Sequence, residues 1–441
     1  MTELSPLRSS CARRRSTSTL ESRSSSDGFQ HPAAEVALHL SREPAVKPTE
    51  LEARYGARNY APLDIVIDRA EGVWVWDIDG RRYLDCLAAY SAVNQGHCHP
   101  RIVEALVRQS RKVAVTSRAF HNAELGAFFR DVCELTGFER ALPMNTGAEA
   151  VETAIKLARK WAYTRKGVPP GEAEILAFAN NFHGRTTTIV GFSSEAQYRD
   201  GFGPFTPGFE LLPFGDASAA RAAVGPNTAA VLVEPIQGEG GIVVPPDGFL
   251  AELRDVCRER NALLIVDEIQ SGLGRTGRMF AHEHDGIRPD VMLLGKALSG
   301  GLYPVSVVVA DTEIMDVFQP GDHGSTYGGN PVGAAVARAA LAVLQDERLV
   351  ENSARLGEYA LGRLRSVRSP LVREIRGRGL WIGVELHESA GGARPYCEEL
   401  ARQGLLCKET HDHVIRFAPP LVIGREELDW ALDRIEELLQ S

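Results

Sequence analysis

A lysine that ends an apolar run and is followed by small residues is placed to do amine chemistry, and Lys296 in "DVMLLGKALSGGLYPV" is such a residue. The chain has seven lysines against 42 arginines, so one in so apolar a setting needs explaining. Desolvation there would lower its pKa and let it form an imine with an aldehyde. A lysine reaching from a strand end to solvent would have the same local sequence. Asp267 closes the run "ALLIVD", which puts it at the carboxyl end of a predicted strand, where open α/β sheets bind ligands. A carboxylate there can keep an aromatic ring nitrogen protonated and make that ring an electron sink, or it can simply begin a turn. In "MNTGAEAVETAIKLARK" Thr146 and Glu149 form a capping-box pattern, and Gly147 leaves the first amides open to an anion such as phosphate. Many helices begin this way only to satisfy their own amides.

Two other motifs carry less. Gly272-Leu273-Gly274-Arg275-Thr276-Gly277 matches G-x-G-x-x-G after a strand. Asp267, Glu268 and Gln270 intervene, however, and "RTGRMF" has no amphipathic helical pattern, which argues against a dinucleotide site. His97-Cys98-His99, ahead of Pro100, is too compact for usual zinc spacing and reads as a structural loop.

The elements that must hold these residues begin after Ala70. "GVWVWDIDGRRYLDC" alternates around an Asp79-Gly80 turn and predicts a β-hairpin. Apolar runs recur at "EILAFA", "AAVLVE", "ALLIVDE", "VMLLGK" and "PVSVVVA", with helical patterns between several of them. In one of these, from Glu149 to Lys166, Val151, Ile155, Ala158 and Ala162 share a face. Strands alternating with helices predict a mostly parallel sheet covered on both sides. Toward the C-terminus, helical patterns at Ala334 to Gln345 and Glu427 to Leu439 flank strands in "GLWIGVEL" and "HVIRFA", predicting a smaller α+β domain. The expected layout is a Ser/Arg-rich tail over 1–48, an N-terminal segment contributing to the small domain over 49–100, a large domain over 101–335 and the small domain over 336–441.

Composition sets the outer limits. The chain has 441 residues, 44% hydrophobic and 24% charged, with a net charge of −9, which fits a two-domain soluble protein and disfavours nucleic acid or an anionic membrane as partner. Its seven cysteines are scattered and suggest a reducing compartment rather than a disulfide framework. No run approaches the roughly 18 apolar residues of a membrane span. The tail has the Arg- and Ser-rich character of an organellar transit peptide, but Glu3, Glu21 and Asp27 interrupt it. A cytoplasmic enzyme is the expectation, with an organellar matrix as the alternative.

From about Tyr55 to the C-terminus the sequence resembles the class III branch of the fold-type I pyridoxal-phosphate aminotransferases, and within it the members that use ornithine. The resemblance rests on "YGARNYAPL", "SAVNQGHCHP", "TSRAF", "PMNTGAEAVETAIKLARKW", "DGFGPFTPGF", "VEPIQGEGG", "DEIQSGLGRTGR", "LLGKALSGGLYPVS", "HGSTYGGNP" and "IRFAPPLVI". It implies a large domain with a mostly parallel seven-stranded sheet, a smaller α+β domain, pyridoxal phosphate as cofactor and a homodimer with composite active sites. Lys296 would then be the Schiff-base lysine and proton-transfer base, Asp267 the partner of the pyridine nitrogen, and Gln270 a neighbour of the phenolic oxygen. The resemblance further implies that Phe182 stacks on the ring and that Gly147 and Ala148 hold the phosphate, joined by Ser325 and Thr326 from the neighbouring subunit. It makes Arg416 the clamp for the α-carboxylate of glutamate or 2-oxoglutarate, covered by Glu239 when ornithine is bound. Tyr60 and Arg185 would read the far end of ornithine, with Tyr90 shaping the pocket. The "YGARNY" segment bearing Tyr60 is not usual in acetylornithine or 4-aminobutyrate aminotransferases. The implied reaction moves the δ-amino group of L-ornithine to 2-oxoglutarate. N-acetylornithine, lysine or 4-aminobutyrate remain alternative donors, and a catalytically silent binding homologue is the alternative of another class. His183 departs from the animal enzymes, which carry a bulkier aromatic there, and the tail is a second departure.

Overall fold

A computed structural model describes residues 47–440. The Ser/Arg-rich stretch through residue 46 lies outside the described residues, and so does what was read from it. The chain divides into two compact units, Met1–Asn59 and Tyr60–Ser441. In the first, the described residues form the helix Pro48–Tyr55, with proline at its first position and the Arg54 guanidinium 5.0 Å from the centre of the Tyr55 ring.

The second unit is organised around a seven-stranded sheet whose order is Arg140–Met144, Ser306–Ala310, Val291–Leu294, Leu263–Asp267, Thr228–Val233, Glu174–Phe178 and Phe209–Leu212. Ser306–Ala310 runs antiparallel to both of its neighbours, and the remaining pairings are parallel. The central strands read as unbroken apolar runs because both faces are covered. Leu263 and Ile265 join one core with the helix Gly147–Trp161, while Leu264 and Val266 join another with the helix Phe249–Glu259. The capping box expected at Thr146 is present: the Glu149 amide donates to Thr146 Oγ1 at 3.2 Å and the Thr146 amide to Glu149 Oε2 at 2.8 Å. That cap fixes where the helix starts relative to the strand ends.

Two four-stranded sheets complete the unit. The hairpin Trp74–Asp77 and Arg82–Asp85 forms as expected, and its second strand pairs in parallel with Leu405–Leu406 from far along the chain. Val372–Arg378, Trp381–Leu386, Val414–Phe417 and Lys408–Thr410 make the other sheet, which is antiparallel. The C-terminal region carries Pro331–Asp346 and Arg425–Gln440 where helices were expected, and also Leu349–Ser366 and Arg394–Arg402, which the apolar pattern did not announce. The buried face of Leu349–Ser366 is interrupted by Ser353, whose hydroxyl donates to Arg275 O at 3.0 Å, and by Gly357. A Cβ on Gly357 would stand 2.1 Å from the Gly379 carbonyl carbon, so close backbone approach replaced an apolar side chain in the stripe. Among the described residues no helix is long and apolar enough to cross a membrane.

Candidate active site

The carboxyl ends of the parallel strands open onto one cavity of about 190 Å³, lined by Gly147, Ala148, Phe182, His183, Glu234, Asp267, Ile269, Gln270 and Lys296 among others. Five strand or helix ends thus deliver the three features first picked from the sequence to a single place. Gly147 and Ala148 supply the first amides of a capped helix, which have no intrahelical partner, together with the positive end of its dipole. Asp267 ends its strand and is 5% exposed. Lys296 opens a short 3-10 turn with φ of +43°, a left-handed backbone rare for a side chain of this size.

Charge is set by burial and by three neighbours. Desolvation lowers the Lys296 pKa, against the pull of Glu239 and Asp267, which favours the free amine needed for nucleophilic and basic work. Asp267 Oδ1 accepts from the Ile269 amide at 3.0 Å, and its Oδ2 lies 2.7 Å from His183 Nδ1. Burial opposes charge on His183, but Asp267 outweighs it and raises the imidazole's pKa. Glu234, at the end of Thr228–Val233, accepts from the Phe182 amide at 2.9 Å, and burial pushes its carboxyl up to about 7. His183 and Glu234 were not among the expected site residues. The positional argument that found Asp267 applies equally to Glu234, whereas His183 carried no signal beyond its place next to Phe182.

A second cluster continues from the cavity through Gln270, whose Nε2 lies 3.3 Å from Glu239 Oε1. Arg416 Nη2 donates to that same oxygen at 2.8 Å, and also to Gly238 O at 3.0 Å. Burial works to raise the Glu239 pKa, and the Arg416 guanidinium more than offsets it, leaving it lowered. Arg416 Nε and Nη1 are buried with no hydrogen-bond partner among the described residues. A buried guanidinium with donors to spare is built to take another carboxylate. Gly238 has to be glycine here, since a Cβ would fall 1.9 Å from Gln270 Oε1. Tyr90 lies with its ring centre 4.9 Å from the Arg416 guanidinium carbon. It sits in a helical turn, Ala88–Ser91, whose four residues have φ of +49°, +45°, +57° and +72°. The turn is therefore left-handed, at a cost of roughly 1–2 kcal/mol per residue.

The other expected residues stand further out. Arg185 is exposed, its guanidinium 3.7 Å from the centre of the Tyr198 ring and 5.5 Å from that of Phe182. Tyr60 is 85% exposed and does not line the cavity. Ser325 Oγ accepts from Asn145 Nδ2 at 2.9 Å, and Thr326 is exposed; neither lines this chain's cavity. The glycine-rich stretch from Gly272 runs through turns into the 3-10 turn Ala281–Asp285 and buries Arg275, which donates to Leu380 O at 2.9 Å and Pro419 O at 2.7 Å. His97 and His99 pair separately, with Asp85 and Glu347.

Residues 55–439 match the family model described as aminotransferase class-III, and the chain belongs to that family of pyridoxal-phosphate-dependent aminotransferases. The donor set fits the cofactor: a helix N-terminus for a phosphate, a buried carboxylate, an amine of lowered pKa and a buried, unpartnered Gln270 Oε1 surround one cavity. Among individual relatives, ornithine aminotransferase of Bacillus subtilis (strain 168) is 59% identical over 389 residues, spanning 88% of this chain and 96% of the relative. The crystal structure of ornithine aminotransferase from Toxoplasma gondii ME49 superposes with a TM-score of 0.88 at 47% identity, covering 89% of this chain and 94% of that one. Acetylornithine aminotransferase from Elizabethkingia anophelis superposes with a TM-score of 0.81 at 46% identity, covering 89% and 97%.

Proposed function

We propose that this enzyme transfers the δ-amino group of L-ornithine to 2-oxoglutarate, giving glutamate 5-semialdehyde and glutamate by a ping-pong route. The observation that carries the reading is the Glu239–Arg416 pair at 2.8 Å beside Gln270 and Tyr90. An enzyme that accepts a side-chain amine in one half-reaction and an α-keto acid in the other needs a carboxylate clamp that can be switched. A guanidinium shared between a protein carboxylate and a substrate carboxylate provides one.

Pyridoxal phosphate, when bound, supplies the aldehyde for the amine and a ring that takes up the electron pair left by a departing proton. Gly147 and Ala148 would hold its phosphate through their amides, Phe182 would cover the ring, Asp267 would keep the pyridine nitrogen protonated and Gln270 would face the phenolic oxygen. His183, hydrogen-bonded to Asp267, fixes that carboxylate's orientation. Lys296 Nζ would hold the group covalently and, once the δ-amine of ornithine had displaced it, would be the free amine that carries the proton from the δ-carbon to the cofactor side. Glu239 occupies Arg416 while ornithine is bound and yields it to the α-carboxylate of 2-oxoglutarate. Tyr60 and Arg185 receive the far end of ornithine, and Tyr90 walls the pocket. Ser325 and Thr326 reach the phosphate of a second copy, a placement supported by the exposure of Thr326 and Tyr327 outside this chain's own cavity.

The Elizabethkingia anophelis neighbour favours one rival, with N-acetylornithine as donor. Initial rates with ornithine, N-acetylornithine, lysine and 4-aminobutyrate, each with 2-oxoglutarate, separate the two; a higher kcat/KM for N-acetylornithine overturns the ornithine reading. Lys296→Ala is expected to abolish turnover and the absorbance of the protein-bound cofactor together.

A further inference from the structure

We propose that Asp85, paired with His97, is a positioning residue that holds the left-handed turn Ala88–Ser91 and so seats the Tyr90 ring against Arg416. The inference rests on the reading of Arg416 as the clamp for the 2-oxoglutarate carboxylate.

Four consecutive non-glycine residues with positive φ persist only when their surroundings over-determine them. Here the entry to the turn is set by the Asp85 carboxylate. Its Oδ1 accepts from the Leu87 amide at 2.8 Å and the Ala88 amide at 3.0 Å, and its Oδ2 lies 2.7 Å from His97 Nε2. The His97 ring is anchored in turn, because its backbone exchanges hydrogen bonds with Gly72, the amide of His97 donating to Gly72 O at 2.8 Å and that of Gly72 to His97 O at 3.1 Å. The exit is tied by Gln95 Nε2, which donates to Ala297 O at 2.9 Å, in the turn that begins at Lys296. Asn94 accepts from the buried Arg275 guanidinium and donates to Leu273 O at 3.1 Å.

What this frame delivers is Tyr90. A right-handed path through Ala88–Ser91 would redirect the side chain, since handedness sets the direction of Cβ. In the observed turn the ring faces a guanidinium that spends one nitrogen on Glu239 and keeps two without partners. The ring limits where that guanidinium can swing and fixes the orientation it presents to an incoming carboxylate.

The test follows each half-reaction of the full-length holoenzyme in single turnover. Asp85→Ala is expected to raise the KM for 2-oxoglutarate about fivefold to tenfold, the scale of one cation–π contact, and to weaken the ornithine half-reaction by a smaller factor, because Glu239 and not a substrate carboxylate occupies Arg416 there. Asp85→Asn keeps an oxygen for both amides and should restore most of the loss. An equal decline in both half-reactions, without rescue by Asn, overturns the proposal. Should Asp85→Ala not fold, His97→Ala carries the same comparison, with a rise of about threefold expected. Handedness is tested separately by Ala89→Gly at an exposed position. Glycine accepts positive φ without strain, so Tm should hold or rise, whereas a right-handed helix would lose stability; a fall in Tm overturns the left-handed turn. Wild-type donor rates test the ornithine reading independently, and another donor would leave the 2-oxoglutarate comparison intact.

Discussion

Glu239→Gln keeps the shape of the side chain opposite Arg416 and removes its charge. In the free enzyme Arg416 is 1% exposed and donates to Glu239 at 2.8 Å, with Gly238 O at 3.0 Å and Thr410 Oγ1 at 3.3 Å as further acceptors. A hydrogen bond to a charged group contributes about 1.5–3 kcal/mol and a neutral one about 1 kcal/mol. Part of that difference opposes every 2-oxoglutarate molecule that must displace Glu239. Replacing the carboxylate by an amide should therefore lower the KM for 2-oxoglutarate about fivefold to tenfold, at roughly 1.4 kcal/mol per factor of ten. The same change leaves a buried guanidinium without its counter-charge, so the free protein should lose on the order of 1–3 kcal/mol of stability. It also leaves Arg416 open while ornithine binds, so part of the ornithine should enter by its α-carboxylate and react at the α-amine. Stopped-flow traces of each half-reaction, with product analysis for the two keto products of ornithine, measure all three. If the 2-oxoglutarate KM rises, or both half-reactions fall by the same factor, the pair is a structural ion pair and not a switch.

Tyr60→Phe should weaken ornithine in preference to 2-oxoglutarate, read as KM in each half-reaction; equal weakening would remove Tyr60 from the ornithine end. Glu234→Gln tests the buried carboxyl at the edge of the cavity. Its pKa is raised from 4.5 to about 7 in the folded protein, so the stability it contributes is full below 4.5 and is lost as pH rises through 7. That amounts to at most about 3 kcal/mol. His183, also raised, acts in the same sense above its ordinary value. The Tm of Glu234→Gln relative to wild type should therefore increase between pH 5 and pH 8, and a constant difference would show that Glu234 keeps an ordinary pKa.

Much of the site was legible because its residues sit at ends of elements that announce themselves. Lys296 and Asp267 close apolar runs, and Thr146 with Glu149 marks a helix start, so strand and helix signals alone placed them at one edge of a sheet. The bond between His183 and Asp267 was not legible, since the two residues are 84 positions apart and nothing local in either segment specifies the other. The left-handed turn at Tyr90 was hidden as well: "LAAYSAV" contains no glycine, and only the hydrogen bonds from Leu87 and Ala88 to Asp85 reveal why positive φ is tolerated there. Tyr60, expected at the substrate, is exposed on this chain and does not line the cavity.

What the sequence determined by itself is the class of chemistry. A lysine and an aspartate at strand ends and a capped helix start are legible one by one, because residue type and element ends are local properties, and the resemblance carried by the longer motifs joins them into the site of a phosphate-bearing aromatic aldehyde. Which groups share charge was decided only by the tertiary structure. The proton preference of Glu234, the partner of Asp267, the free donors of Arg416 and the handedness beneath Tyr90 depend on burial and on neighbours brought together by sheet order and loop closure. The electrostatics that tune the reaction therefore become readable only once the chain has folded.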